Sequence, residues 1–282
     1  MDGRAAAPAA GTVLNALANG HGAAFAIDAH TRATVELDGS GPVTGTVADV
    51  PDADTRLIER CVEVVIERFG DGEGGTVRTD SDVPMASGLK SSSAAANAAV
   101  LATLSALDAV AAIDRVDACR LGVAAARDVG VTVTGAFDDA SASMLGGVTV
   151  TDNADDALLR RDEPDWHVLV FTPAERAFSA DADVARCERV APIADVVFEL
   201  AMDGEYERAM GINGLAFAAA LGYPSDPILE ALPGTAASLS GTGPSYTAVG
   251  DRETLADLRQ RWEDREGDTW LTTTQQTGAT IR

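Results

Sequence analysis

The sequence predicts a mixed α+β chain, and three observations carry the prediction. Period-2 runs rich in β-branched residues and helix-period apolar runs are interspersed along the whole chain. Its 282 residues, set against a typical domain of roughly 150, suggest two lobes or one large domain. Hydrophobic residues make up 46% of the chain, enough for a sizeable core despite the heavy charge, so wholesale disorder is excluded.

Taken in order, residues 31–37 alternate and are β-branched, Gly39, Gly41 and Pro42 interrupt, and 43–47 is extended again, so both runs read as strands. Over 54–69, Leu57, Ile58, Cys61, Val62, Val65, Ile66 and Phe69 recur at helical spacing, with Gly70 placed to stop an amphipathic helix. Residues 75–81 read as a short strand, the Ala-rich run 91–107 as a buried helix, 114–129 as another helix and 131–134 as a strand. After Gly146-Gly147, strands are expected at 148–151 and 166–171. The acidic loop 152–165 between them is taken as the border of two lobes, 1–155 and 156–282. Helices follow at 180–202 and 205–221, and Ser225-Asp226-Pro227 signals a third. The chain closes with strands at 236–239 and 246–249, a helix at 253–262 and a strand at 269–274. Residues 11–29, centred on Asn19-Gly20-His21-Gly22, read as a small-residue turn between apolar runs, serving either a ligand pocket or simply the turn.

Forty-four Asp and Glu against 21 Lys and Arg give a formal charge of −23, which would repel a phosphate backbone and argues against nucleic-acid binding. The basic side is twenty Arg and one Lys, Lys90. Near-absence of Lys with abundant Asp, Ala and Gly is a surface bias like that of halophilic proteins, in which salt screens self-repulsion. Cys61, Cys119 and Cys187 contain no CxxC pair and read as reduced cysteines of a cytoplasmic protein. His21, His30 and His167 have no zinc spacing and read as surface or structural. The opening Met1-Asp2-Gly3-Arg4 lacks a secretory pattern, and the longest uncharged runs are short for a bilayer span, so a soluble protein is expected.

Chemistry concentrates in Pro84-Met85-Ala86-Ser87-Gly88-Leu89-Lys90-Ser91-Ser92-Ser93-Ala94. A Gly-bearing loop running into a helix whose first turn is all serine presents backbone N–H groups and hydroxyls at the positive end of a helix dipole, a ready phosphate site. One serine is explained as an N-cap; three in a row behind Gly and Lys are not. Lys90 would add a compact cation beside a polyphosphate. Leu89 stands between Gly88 and Lys90, so this is not the GxxxxGK[ST] loop, and a different nucleotide-binding fold is indicated.

Residues 84–94 resemble the second motif of the GHMP kinases, PxxxGLxSSSA. Two further segments stand in the expected order. Thr134-Gly135-Ala136-Phe137-Asp138-Asp139-Ala140-Ser141 resembles the family's catalytic-aspartate segment, and Ser240-Gly241-Thr242-Gly243-Pro244-Ser245 its glycine-rich third motif. With Gly11-Thr12-Val13-Leu14-Asn15-Ala16, the pattern is most similar to the archaeal shikimate kinases, over nearly the whole chain.

The resemblance implies the two-lobed GHMP α+β fold. Its N-terminal lobe would carry a left-handed βαβ-type ATP loop, its C-terminal lobe would be ferredoxin-like, and the site would lie in the cleft between them. It further implies ATP- and Mg²⁺-dependent phosphorylation of the 3-hydroxyl of shikimate, on the way to chorismate and the aromatic amino acids. Lys90 and the helix start would neutralise phosphate charge, Gly241 and Gly243 would approach the phosphates, and Asp138 would be the base that takes the acceptor proton. On an extended segment only one of Asp138 and Asp139 would face the substrate; the alternative is that the pair caps the following helix. Ser92 would help hold magnesium. The family's glutamate is missing from Ala125-Ala126-Arg127-Asp128, where Asp128 is the candidate substitute. An acceptor carboxylate calls for an Arg facing the pocket. The competing readings are a GHMP kinase for homoserine, pantoate or an isoprenoid precursor, and a non-catalytic nucleotide-binding relative.

Overall fold

The computed structural model describes residues 1–132, 135–174, 183–232 and 234–282. Two sheets with helices packed on them form the two lobes. The first sheet has seven strands: β1 (Asp2–Leu14), β2 (His21–Asp38), β3 (Val43–Val47), β4 (Gly74–Ser81), β5 (Val148–Asp152), β6 (Ala157–Asp162) and β11 (Thr280–Ile281). Its main path runs β11-β1-β2-β4-β3, and β5 pairs with the opening residues of β2 while carrying β6 on its other edge. β3 and β4 are parallel, joined through α1 (Arg56–Phe69), which Gly70 ends as its C-cap. α2 (Ser91–Ala106), α3 (Arg115–Asp128) and α4 (Phe137–Leu145) complete this lobe, and their apolar faces share one core with the sheet and α1.

The second sheet is antiparallel throughout, in the order β10-β7-β9-β8, from β7 (His167–Pro173), β8 (Ala236–Leu239), β9 (Tyr246–Gly250) and β10 (Gly267–Thr273). Between β7 and β8 lie α5 (Val184–Glu188), α6 (Ala191–Met202), α7 (Tyr206–Leu221) and α8 (Asp226–Ala231), and between β9 and β10 lies α9 (Arg252–Glu263). Strand, helices, strand, strand, helix, strand in that spatial order is the ferredoxin-like arrangement.

Several expectations change. β1 and β2 extend through residues 2–14 and 21–30, where few β-branched side chains announce a strand. The small residues there serve packing instead: a Cβ on Gly3 would stand 1.9 Å from the Ala102 carbonyl oxygen of α2, and one on Gly11 would stand 2.3 Å from the Phe25 ring. The acidic stretch after β5 holds β6, so the expected border at 155/156 falls inside the β5–β6 hairpin, and the chain leaves the first sheet after Asp162. Val131 and Thr132 belong to no strand, and residues 133 and 134 of that expected strand lie outside the described residues. The helix expected over 180–202 begins outside them too, and from 184 it is two helices parted at Arg189 and Val190.

Candidate active site

The site is built where two helices begin. After β4, the loop from residue 84 turns sharply enough to put Ala86, Gly88 and Lys90 at positive φ, so that the chain enters α2 with Lys90 as a left-handed N-cap lacking a side-chain cap bond. The first intrahelical bond runs from Ala94 N to the Lys90 carbonyl, which leaves the N–H groups of Ser91, Ser92 and Ser93 ahead of the ladder at the positive end of the helix. Leu89 is fully buried and its carbonyl accepts from Ala10 N of β1 at 3.2 Å, anchoring the loop. The glycine-rich segment lies directly against it: Ser240 Oγ donates to the Gly88 carbonyl at 2.9 Å and Ser245 N to the Ser87 carbonyl at 3.1 Å. A Cβ on Gly88 would stand 2.5 Å from the Ser240 carbonyl oxygen, so only glycine permits this approach. From the other side, Asn15 Nδ2 donates to the Gly241 carbonyl and Gly241 N donates to Thr12 Oγ1, both at 2.8 Å. Asn213 of α7 accepts Asn15 N at 2.9 Å and donates to Ser238 Oγ at 2.8 Å, which ties the segment to the C-terminal lobe.

α4 begins at the facing side. Asp138 and Asp139 are not on an extended segment, as the alternation argument assumed, but in the first helical turn behind Ala136, itself left-handed. Successive helical positions diverge without pointing oppositely, and both acids line the same cavity. Lys90 Nζ lies 2.6 Å from Asp139 Oδ1, with the two side chains only 8% and 15% exposed, so a nearly buried ion pair bridges the starts of α2 and α4. Asp138 is buried deeper. Asn153, at the end of β5, donates Nδ2 to Asp138 Oδ1 at 2.8 Å and accepts Asp138 N on its own Oδ1 at 3.1 Å. Gly22 gives the carboxylate room, since a Cβ there would stand 2.5 to 2.6 Å from its Cβ, Cγ and Oδ2. Burial first, and then the neighbouring Asp139 carboxylate, push the Asp138 carboxyl up to about 7, against the opposing pull of Lys90 and the Asn153 amide.

These elements surround a cavity of about 760 Å³. Val47, Val50, Leu57, Ile58 and Met85 contribute apolar surface from β3, α1 and the loops, while Asn15, Lys90, Ser91, Ser92, Ser93, Asp138, Asp139 and Gly241 contribute polar groups. Of the expected phosphate loop, Met85, Ala86, Gly88, Lys90 and the three serines reach the cavity wall. Ser87, Leu89 and Ala94 are buried supports and Pro84 is exposed. Gly243 supports as well: its carbonyl abuts Gly88, and a Cβ on it would stand 2.7 Å from the Tyr223 ring. Asp128 is displaced from its expected role, because its carboxylate pairs with Arg60 on α1 at 2.9 Å and does not line the cavity. Among the described lining residues the arginine is Arg56, paired with Asp54 at 2.6 Å. The three cysteines are free and buried, and burial raises each thiol. Among the described residues no cluster of His, Cys, Asp or Glu is disposed to hold a metal, and no helix is long and apolar enough to cross a membrane. Sequence reasoning passed over Asn153; a lone Asn after a short strand carries no signal until the fold sets it beside Asp138.

Comparison with known proteins identifies the family. Residues 56–147, which contain α1 through α4, match the GHMP kinases N terminal domain. The chain is 63% identical over 281 residues, 99% of both chains, to a shikimate kinase of Halobacterium salinarum (strain ATCC 29341 / DSM 671 / R1). It is 51% identical to the shikimate kinase of Methanosarcina mazei, over 93% of this chain and 90% of that one. In fold it resembles the homoserine kinase from Cytophaga hutchinsonii, with a TM-score of 0.80 at 18% identity, covering 100% of this chain and 97% of the other. The chain therefore belongs to the GHMP kinases and, within them, to the shikimate kinases of archaeal type.

Proposed function

We propose that this protein transfers the γ-phosphoryl group of ATP to the 3-hydroxyl of shikimate. The observation that carries the reading is one cavity onto which both the serine-lined start of α2 and the buried acid at the start of α4 open. Phosphoryl transfer asks for positioned phosphates, neutralised charge and an aligned nucleophile. The N–H groups and hydroxyls of residues 91–93 would hold phosphate oxygens, with Lys90 beside them. Asp138 would take the proton of the acceptor hydroxyl as its oxygen bonds to the γ-phosphorus and the bond to the β-phosphate bridge breaks. A carboxyl raised towards neutrality suits a general base working near pH 7. Asp139, held to Lys90, keeps the ammonium in place.

The donor set fits magnesium of the kind held chiefly by phosphate oxygens and water. Ser92, exposed on the cavity wall, is the protein oxygen suited to it; the ion would neutralise phosphate charge. Asp128 takes no part. The acceptor rests on 63% and 51% identity to shikimate kinases over nearly whole chains.

An assay of ATP turnover across shikimate, homoserine, pantoate and mevalonate tests the acceptor, with shikimate expected to dominate; a preference for homoserine would discard the choice. Asp138→Asn tests the base. It should keep ATP affinity within about twofold while kcat falls by about 10²- to 10⁴-fold, and unchanged turnover would remove Asp138 from the mechanism.

A further inference from the structure

We propose that Asn153 is a positioning residue for phosphoryl transfer, holding Asp138 in the orientation and ionisation state a base requires. The inference rests on the reading of Asp138 as that base. Its grounds are geometric. Asn153 is 3% exposed, and it grips Asp138 twice, through the carboxylate and through the backbone N–H. Its own amide is held in one sense: Oδ1 accepts from both Asp138 N and Thr151 Oγ1, the latter at 2.8 Å, which leaves Nδ2 as the group that meets the carboxylate. The backbone is fixed too, with Asn153 N donating to the Gly20 carbonyl at 2.9 Å and Arg127 Nη2 donating to the Asn153 carbonyl at 3.3 Å. Arg127 is in turn clamped by Asp156 at 2.6 Å. The amide cannot turn over without losing these acceptor contacts, so Asp138 always meets an N–H donor.

A donor on the carboxylate favours its ionised form and fixes its rotamer. The charged and titratable groups around Asp138 are few. Asp139 lies on the same helix and Lys90 at the start of α2, while Arg120 and Arg127 on α3 bond to Asp156. His21 of β2 and Asp152 of β5, paired across the ladder, point to the face opposite Gly22, with His21 stacked on Phe198. The charged residues of β1, Asp2 and Arg4, lie at its far end. Lys90 is already committed to Asp139, and the Asn153 amide is the side-chain donor that meets the Asp138 carboxylate.

The test uses the full-length protein with ATP, magnesium and shikimate. Asn153→Asp keeps the shape and the acceptor contacts but replaces the donor by a second carboxylate, and Asn153→Ala removes the grip altogether. Both should lower kcat by about 10- to 100-fold, part of the ~10²–10⁴ that a positioned base contributes, with KM for ATP within about twofold. Both should also move the acid limb of kcat/KM to higher pH, because the ionised carboxylate loses its side-chain donor, and Asn153→Asp should move it further. A purely architectural role would lower Tm and leave that limb where it is. If both variants, or a folded Asn153→Asp alone, show wild-type kcat and an unmoved limb while Asp138→Asn is inactive, the inference is overturned and the base stands. If Asp138→Asn is active, the base assignment itself falls and takes the inference with it.

Discussion

Gly22 shows how a residue without a side chain sets the place of a carboxylate on another element. Its missing Cβ is the space the Asp138 carboxylate occupies, so Gly22→Ala should displace the acid, lowering kcat by at least tenfold with ATP binding retained; a nucleotide titration beside a turnover assay checks both halves. Lys90 carries a different risk. Removing it as Lys90→Met leaves Asp139 charged in a nearly closed setting, a loss of about 3 kcal/mol by analogy with broken buried pairs, and should weaken ATP binding as well. Asp138 sets a pH signature. Its folded-state value is raised above that of an unfolded aspartate, so its contribution to stability is full below about pH 4 and is lost as pH rises through about 7. Asp138→Asn should therefore be more stable than the parent at pH 8, the gap closing towards pH 4; a variant equally or less stable at pH 8 would contradict the buried-acid description.

At the level of elements, the helices were largely legible and the first strands were not. α1 declared itself through its apolar spacing and Gly70, and α2 through alanine content, because those signals are local. β1 and the first half of β2 are rich in Ala and Gly, and their small size answers partners elsewhere in the chain: α2 against Gly3, the Phe25 ring against Gly11 and Asp138 against Gly22. The site divides the same way. The serine loop and the acid pair stood out as strings of residues, whereas Asn153, Asn15 and Asn213 contribute through partners 15 to 226 positions away. Asp128 misled for the converse reason: its helix end was placed correctly, but Arg60 lies across from it. The contact between the serine loop and the glycine-rich segment is the join most sensitive to bulk. Gly88→Ala must accept both a positive φ and the Ser240 carbonyl, so a destabilisation of about 1–3 kcal/mol with loss of nucleotide binding is expected in thermal melts with and without ATP.

Across the whole molecule, a charge of −23 on a chain of this length makes compactness dependent on screening. Exposed charges interact over about 10 Å in 0.1 M salt but only about 3 Å at 1 M, so Tm should climb steadily as KCl is raised over that range; a flat response would show that the acidic surface is neutral for stability. The two lobes do not form in series along the chain. β11 adds Ile281 opposite Ala5 and Thr280 opposite Ala6, Arg282 N donates to the Arg4 carbonyl at 2.8 Å, and Ala279 N donates to the Met144 carbonyl of α4 at 3.0 Å. On the ribosome, the flank of β1 that β11 will occupy stays bare through synthesis of the entire ferredoxin-like half. The helix bearing the paired acids gains one further latch, from Ala279 N to the Met144 carbonyl, only when that flank is filled.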